Sequence, residues 1–307
     1  MPKVLITPRS FGKHSDEAKR ILIANGYEVV ENPYGRILTE EEMKKEIADV
    51  DAVIIGIDPL NREVLSCAKN LKVISKYGVG TDNIDIEFCK GHNIPVTVTR
   101  NANSDSVADF TFALMLAIAR RIVEIDKSCR ALNWGKKTSI GIHGKTLGVI
   151  GTGAIGKDVI KRACGFDMKI IAYDVYPDDE FAQEYNATYV DFETLIKESD
   201  FITLHLPATR ETVNLLSEKE FNMMKETAVL VNTARGELID EDALYDALKN
   251  KRIWGAGLDV FKKEPPEKIE LLELENIILG AHAAASSVDA VNKMSLMAVE
   301  NILANFK

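Results

Sequence analysis

Lys145-Thr146-Leu147-Gly148-Val149-Ile150-Gly151-Thr152-Gly153-Ala154-Ile155-Gly156 is the stretch that decides the fold of this chain. The apolar run ending at Ile150 predicts a buried strand, and residues 154–163 have the pattern of the helix that follows it. Between them, Gly151 permits a sharp turn, Gly153 lets the backbone approach a pyrophosphate, and Gly156 lets the helix pack closely on the strand. The glycine spacing alone is weak evidence, but after a strand and before a helix it predicts a dinucleotide-binding domain.

An acidic residue at the end of the next strand indicates which dinucleotide binds. Asp174 follows the apolar run 169–173 and lies 18 residues beyond Gly156. A carboxylate at this place accepts hydrogen bonds from both hydroxyls of the adenosine ribose and repels a 2′-phosphate. Residues 175–179 (Val-Tyr-Pro-Asp-Asp) supply no Arg or Lys to offset that repulsion. We therefore expect NAD to be the cofactor in preference to NADP.

Short β-branched runs alternate with helical stretches along the chain, as in parallel sheets covered by helices on both faces. Runs of this kind occupy residues 4–6, 53–55, 73–75 and 96–98, and six more follow at 145–150, 169–173, 201–204, 228–231, 253–258 and 277–279. A long helix is predicted from Ser104 to about Asp126, and a final helix from Ser286 to Phe306. We predict an α/β protein in which residues 1–101 and 285–307 form a flavodoxin-like substrate-binding domain and residues 102–284 form an NAD-binding Rossmann domain.

Composition excludes several classes of partner. The chain of 307 residues has 47 acidic and 38 basic side chains and a net charge of −9, which repels nucleic acid and anionic membrane surfaces. Its start lacks a signal-peptide pattern, and its longest apolar stretch, 107–118, contains Asp109 and is too short to span a bilayer. The four cysteines have no metal-ligand spacing, so no metal is expected. We expect a cytoplasmic protein that acts on a small molecule, without nucleic-acid or membrane partners.

Polar residues that directly follow strands are the catalytic candidates, because ligands of such sheets bind beyond the carboxyl ends of the strands. His205, Arg235, Asp259 with Glu264, and His282 occupy such positions. Hydride transfer from a hydroxy acid requires a base, a cation that holds the carboxylate and a group that tunes the base. Strand position does not choose between His205 and His282 as the base. A surface ion pair for Arg235 and a solvated loop position for Glu264 remain alternatives.

Five motifs stand in order along the chain: residues 76–85 (Lys-Tyr-Gly-Val-Gly-Thr-Asp-Asn-Ile-Asp), the glycine turn with Asp174, residues 232–236 (Asn-Thr-Ala-Arg-Gly), residues 261–266 (Phe-Lys-Lys-Glu-Pro-Pro) and Ala281-His282. With them the chain resembles the D-isomer-specific 2-hydroxyacid dehydrogenase family over essentially its full length, and within it the D-3-phosphoglycerate dehydrogenases. The resemblance implies that the catalytic residues are Arg235, Glu264 and His282. It implies that the cofactor contacts are Gly151, Gly153, Ala154, Ile155, Gly156, Asp174, His205, Thr233, Ala234 and Asp259. It implies that the substrate is bound by Lys76, Gly78, Val79, Gly80, Arg235 and Lys136, with N–H groups of the Gly78-Val79-Gly80 loop facing its carboxylate.

The chemistry of the implied catalytic residues suits these roles. Arg235 can grip a carboxylate with two hydrogen bonds and polarise the neighbouring 2-carbonyl. His282 would give a proton to the carbonyl oxygen during reduction and take it back during oxidation. Glu264, hydrogen-bonded to the other ring nitrogen, would favour the imidazolium form.

The substrate is less closely defined. Lys76 and Lys136 stand where phosphate-binding arginines often lie in the phosphoglycerate enzymes, although Gly56 occupies another such position. We expect 3-phosphoglycerate, hence a role in serine biosynthesis, with glyoxylate or hydroxypyruvate reduction as the alternative. A NAD(H)-sensing, corepressor-like binding protein is an alternative from another class. The resemblance further implies a homodimer, and the end of the chain at Lys307 implies that serine does not inhibit it.

Overall fold

The computed structural model describes residues 1–267 and 269–306, and it contains two compact α/β units. One unit comprises the residues up to Asn103 together with those from Ala285 onward, and the other comprises Ser104–Ala284. No helix within the described residues is both long enough and apolar enough to cross a lipid bilayer.

The first unit is built on a parallel sheet of five strands. Its elements in chain order are β1 (Lys3–Ile6), α1 (Glu17–Ala24), β2 (Glu28–Glu31), α2 (Glu40–Glu46), β3 (Ala52–Ile55), α3 (Arg62–Leu65), β4 (Val73–Lys76), α4 (Ile86–Gly91) and β5 (Val96–Val98), with a C-terminal helix at Val288–Asn305. The strand order is β2-β1-β3-β4-β5, which is the flavodoxin-like order.

Alternate residues of each central strand in this unit face two separate cores. In β3, Val53 and Ile55 belong to one apolar cluster, whereas Ala52 and Ile54 belong to the other. The C-terminal helix covers the second cluster with Ala298, Val299 and Ile302, which are fully buried. Burial on both faces explains why the strands appear in the sequence as continuous apolar runs.

The second unit contains a parallel sheet of seven strands. Its elements are α5 (Ser104–Ala119), α6 (Ile122–Arg130), β6 (Thr146–Ile150), α7 (Ala154–Cys164), β7 (Lys169–Tyr173), α8 (Asp179–Glu184), β8 (Ala187–Tyr189), α9 (Phe192–Glu198), β9 (Phe201–Leu204), α10 (Glu218–Met223), β10 (Val229–Asn232), a 3₁₀ turn (Gly236–Leu238), α11 (Glu241–Lys249), β11 (Gly255–Leu258), α12 (Ile269–Leu272) and β12 (Ile277–Leu279). The strand order β12-β11-β10-β9-β6-β7-β8 is that of a Rossmann domain with one added strand. The predicted fold class is confirmed.

The prediction of one uninterrupted helix from Ser104 to about Asp126 is wrong, because two helices occupy this stretch. The first of these is interrupted after Ala119, because Arg121 adopts a left-handed conformation with φ of 54°. Two groups distant in sequence take the carbonyls that would continue the helix: Ile140 donates its N–H to Ala119 O at 3.1 Å, and the Trp254 indole donates to Ile118 O at 3.4 Å. Tertiary hydrogen bonds therefore end the helix at this point.

Candidate active site

The glycine turn between β6 and α7 leaves room for an anion. Gly151 has φ of 92°, and a Cβ atom on it would lie 2.6 Å from His205 O. A Cβ on Gly156 would lie 2.0 Å from Gly151 O, so neither position accepts a side chain. A Cβ on Gly153, in contrast, would have no heavy atom of the described residues within 4 Å. Gly153 also caps α7 without a side-chain hydrogen bond, which leaves the helix N-terminus facing open space. This cradle fits a dinucleotide pyrophosphate.

Asp174 directly follows β7 and is fixed beside the glycine turn. One of its carboxylate oxygens accepts hydrogen bonds from Thr152 N at 2.6 Å and Thr152 Oγ1 at 3.0 Å, and the other accepts from Tyr176 N at 2.9 Å. Tyr189 Oη lies 2.8 Å from Thr152 Oγ1. The structure thus holds the carboxylate in one orientation beside the turn, where the adenosine ribose of a Rossmann ligand lies.

His205 directly follows β9, and its ring nitrogens are buried. Its backbone N–H donates to Ile150 O at 2.8 Å, but both ring nitrogens are buried without a hydrogen-bond partner among the residues that the structure describes. Burial lowers the pKa of His205 to about 3, so its imidazole is neutral near pH 7. A neutral ring lacks the acidic second proton of an imidazolium, so it does not act as a general acid, but it offers one N–H donor and one acceptor nitrogen to a ligand.

His282 and Glu264 form a hydrogen-bonded pair. His282 Nδ1 lies 2.9 Å from Glu264 Oε2, and Phe261 N donates to Glu264 Oε1 at 3.2 Å. Burial raises the pKa of Glu264, but the hydrogen bond and charge of His282, the Phe261 N–H and the charge of Arg235 together bring it below its ordinary value. The carboxylate is therefore ionised and holds the Nδ1 side of the ring, while Nε2 has no hydrogen-bond partner within residues 1–267 and 269–306.

Asp259 supports the turn that carries His282. The histidine backbone is left-handed, with φ of 53°, and its N–H donates to Asp259 O at 2.8 Å. The Asp259 carboxylate accepts from Ala283 N at 2.9 Å and from Ala284 N at 2.8 Å. Burial raises the pKa of Asp259 despite these two backbone hydrogen bonds. From the sequence Asp259 was a candidate by its strand position and, by the resemblance, a cofactor contact; its support of the His282 turn was missed because the two residues are distant in the chain.

The turn after β10 brings Arg235 to the same region. Asn232 closes this turn: its Oδ1 accepts from Ala234 N at 2.9 Å, and its Nδ2 donates to Arg235 O at 2.8 Å. A Cβ on Gly236 would lie 1.9 Å from Phe261 C, so only glycine permits the turn to pack against the loop that carries Glu264. Asn232 was included from the sequence in the 232–236 motif but was assigned no role, although Asn at the end of an apolar strand is a recognised turn signal. The charge of Arg235 thus acts on Glu264, the hydrogen-bond partner of His282.

The other residues predicted to bind the substrate lie mainly in the first unit. Lys76 is 5% exposed, and its ammonium donates to Gly56 O and to Asn83 Oδ1, the latter at 3.0 Å. Gly78 N donates to Thr99 Oγ1 at 2.8 Å. In the described structure, the Val79 and Gly80 N–H groups have no hydrogen-bond partner. Lys136 is exposed and belongs to the second unit.

Comparison with known proteins identifies the family of the second unit. Residues 112–284 match the family described as D-isomer specific 2-hydroxyacid dehydrogenase, NAD binding domain. The chain is 41% identical to a glyoxylate reductase of Thermococcus litoralis, over 99% of this chain and 93% of that protein. It is 39% identical to a D-3-phosphoglycerate dehydrogenase of Archaeoglobus fulgidus, over 94% of this chain but only 55% of that protein.

A solved structure agrees in fold and cofactor. The D-lactate dehydrogenase of Aquifex aeolicus, solved with NAD and lactic acid, superposes with a TM-score of 0.86 at 30% identity, covering 98% of this chain and 94% of that one. The prediction of NAD as the cofactor is confirmed. The more specific resemblance to D-3-phosphoglycerate dehydrogenase is not confirmed, since glyoxylate reductase also stands among the relatives.

Proposed function

Because this chain belongs to the D-isomer specific 2-hydroxyacid dehydrogenase family, we propose that it reduces a short, unphosphorylated 2-oxo acid, glyoxylate or hydroxypyruvate, to the corresponding 2-hydroxy acid with NADH. The sequence favoured 3-phosphoglycerate and kept this activity as its alternative. The alternative is now better supported, both by the glyoxylate reductase relative and by the surroundings of Lys76.

The main support for this reaction is the hydrogen bond of 2.9 Å between His282 Nδ1 and Glu264 Oε2. Bound NADH supplies the hydride to the 2-carbon. His282 gives the proton on Nε2 to the carbonyl oxygen, so that the carbonyl becomes a hydroxyl. Glu264 holds Nδ1 and stabilises the protonated ring before the transfer. Arg235 binds the substrate carboxylate and polarises the carbonyl.

The proposal of an unphosphorylated substrate comes from the three positions where cations would meet a phosphate. Gly56 has no side chain, and Lys76 is buried with its ammonium bonded to Gly56 O and Asn83. Reaching a phosphate would break both of these hydrogen bonds of the buried ammonium, which is unfavourable, although Gly56 O would keep a hydrogen bond from Asn83 Nδ2 at 3.0 Å. Lys136 alone is exposed. One exposed lysine is a weak basis for selecting a phosphorylated substrate.

Several residues are proposed to hold the cofactor. The turn from Gly151 to Gly156 would bind the pyrophosphate, Asp174 the adenosine ribose, and the neutral ring of His205 a polar group of the dinucleotide. Thr233, Ala234 and Asp259 would line the nicotinamide half. The Val79 and Gly80 N–H groups stay predicted contacts of the substrate carboxylate.

Substrate choice is tested by NADH consumption with glyoxylate, hydroxypyruvate and 3-phosphohydroxypyruvate at equal concentrations. We expect kcat/KM to be highest for one of the two unphosphorylated acids. A higher kcat/KM for 3-phosphohydroxypyruvate would contradict the proposal. NADH binding without turnover of any 2-oxo acid would instead support a NAD(H)-sensing protein.

The base is tested by histidine variants. His282→Asn should abolish turnover and leave the NADH dissociation constant near that of the wild type, because the ring acts on the substrate. The exposed His143 provides a matched control, and His143→Asn should change neither quantity. Loss of turnover in His205→Asn with normal NADH binding would show that the base is misassigned.

A homodimer and a cytoplasmic location are further proposals that rest on the family resemblance and composition. Sedimentation equilibrium should give twice the chain mass of 34.0 kDa. A monomer at micromolar concentration would exclude the homodimer.

A further inference from the structure

Two buried threonine hydroxyls connect α5 to the turn after β10. Thr111 is fully buried on α5, and Thr233, 8% exposed, directly follows β10. Thr111 Oγ1 lies 2.8 Å from Val107 O and 3.0 Å from Thr233 Oγ1. Both hydrogen bonds lie within the second unit.

The number of protons on the two hydroxyls determines which of them donates in the hydrogen bond between Thr111 and Thr233. A hydroxyl has one proton, and a carbonyl oxygen only accepts. The Thr111 proton therefore goes to Val107 O, and toward Thr233 the Thr111 oxygen is an acceptor. Thr233 donates its own proton to Thr111, so only lone pairs remain on the Thr233 oxygen for any other partner.

The position of Thr233 indicates which partner it faces. Thr233 lies two residues before Arg235, and its strand is paired with β9, which precedes His205, and with β11, which precedes Asp259. If Arg235 and His282 act on the 2-carbon, the nicotinamide must lie beside the same strand ends for the hydride to reach it. Its carboxamide has an NH₂ group that donates and an oxygen that accepts. A hydroxyl that can only accept matches the NH₂ group and disfavours the oxygen.

We propose that Thr111 is a positioning residue that makes the Thr233 hydroxyl an obligate acceptor for the carboxamide NH₂ of NAD. This inference depends on the cofactor part of the proposed function and not on the identity of the 2-oxo acid. Without Thr111, the Thr233 proton is free to turn toward the carboxamide. The hydroxyl then no longer discriminates between the two ends of that group.

The test is the affinity of Thr111→Val for two reduced dinucleotides, measured by calorimetric titration. Valine has a similar shape but cannot accept the Thr233 proton. Because the Thr233 proton then has no acceptor and can turn toward the carboxamide NH₂ group, NADH should bind more weakly, by up to about 10-fold, which is the net value of about one hydrogen bond. Reduced 3-acetylpyridine adenine dinucleotide has a methyl group in place of the NH₂ group, so its affinity should not change. Thr111→Ser keeps the hydroxyl and should restore NADH affinity.

Thr203 provides a matched control, because it is also fully buried but its hydroxyl has no partner among the described residues. Thr203→Val should leave both affinities unchanged. Equal weakening of both dinucleotides by Thr111→Val would indicate a merely structural role and overturn the proposal, as would unchanged NADH affinity. The titrations contain no 2-oxo acid, so a wrong substrate assignment does not affect them. A wild-type protein that binds no NADH would instead refute the proposed function itself.

Discussion

Glu264→Gln tests the electrostatic core of the proposed site with a minimal change in shape. In the wild type one Glu264 oxygen accepts from His282 Nδ1 at 2.9 Å and the other accepts from Phe261 N at 3.2 Å. Glutamine has only one oxygen, so its NH₂ group must face one of these two donors. The substitution also removes the negative charge that stabilises the protonated ring.

The expected loss of kcat/KM is calculated from the attraction between the charges of His282 and Glu264. Two unit charges about 4 Å apart attract each other by about 4 kcal/mol at an effective dielectric constant of about 20. The His282 and Glu264 side chains are 40% and 32% exposed, respectively. Solvent screening at such exposure reduces the attraction to about 1–2 kcal/mol. Because about 1.4 kcal/mol corresponds to a tenfold change in rate, kcat/KM should fall roughly 5- to 30-fold.

The assay is steady-state NADH oxidation with saturating NADH and varied glyoxylate near pH 7, together with a separate NADH titration. We expect the NADH dissociation constant to stay within about twofold of the wild type, because the charge acts on the substrate side. Glu267→Gln is the matched control: it lies on the same loop, is exposed and pairs with Lys263. A Glu264→Gln enzyme with wild-type kcat/KM, or an equal loss in Glu267→Gln, would refute the reasoning.

Three further predictions concern other parts of the chain. Thr203→Val should raise the free energy of unfolding in urea by about 1–2 kcal/mol, because the wild type buries a hydroxyl that has no hydrogen-bond partner in the described part of the chain; a destabilised variant would show that the hydroxyl is satisfied. Asp174→Asn should lower the ratio of kcat/KM for NAD to that for NADP by at least about tenfold, because a 2′-phosphate is no longer repelled by a carboxylate; an unchanged ratio would contradict that role. The pKa of Glu264 lies below its ordinary value of 4.5, so its ionised form stabilises the fold above that pH and the contribution is lost as the pH falls further. The difference in unfolding free energy between wild type and Glu264→Gln should therefore shrink below about pH 4.5, and a difference that is constant from pH 6 to 3 would contradict the shift.

Two of the four edge strands, β2 and β8, were not predicted from the sequence, whereas the edge strands β5 and β12 were predicted from their apolar runs. β2 (Glu28–Glu31) begins and ends with exposed glutamates, and β8 (Ala187–Tyr189) has three residues of which the central one is exposed. An edge strand is bonded on one side only and needs no long apolar run, so its signal is weak. The central strands, which are buried on both faces, were all predicted.

The glycine turn with Asp174 was predictable because its constraints are local. A left-handed Gly151, a Gly156 without space for a side chain and an acidic residue after the next strand are all encoded within one βαβ unit. The sequence by itself therefore determined the fold class and the cofactor.

Residue type and strand position did not distinguish the two histidines that follow strands; the family resemblance did, and only the tertiary structure shows the physical difference between them. The ring nitrogens of His205 are buried, and its neutral ring has no hydrogen-bond partner among the described residues, whereas the His282 side chain is 40% exposed and hydrogen-bonded to Glu264, 18 residues away in the chain. Burial and charge pairing depend on which distant segments pack together, and these two factors set the protonation state of an imidazole. Residue type and strand position were equal for both histidines, so the sequence alone could not supply that physical difference.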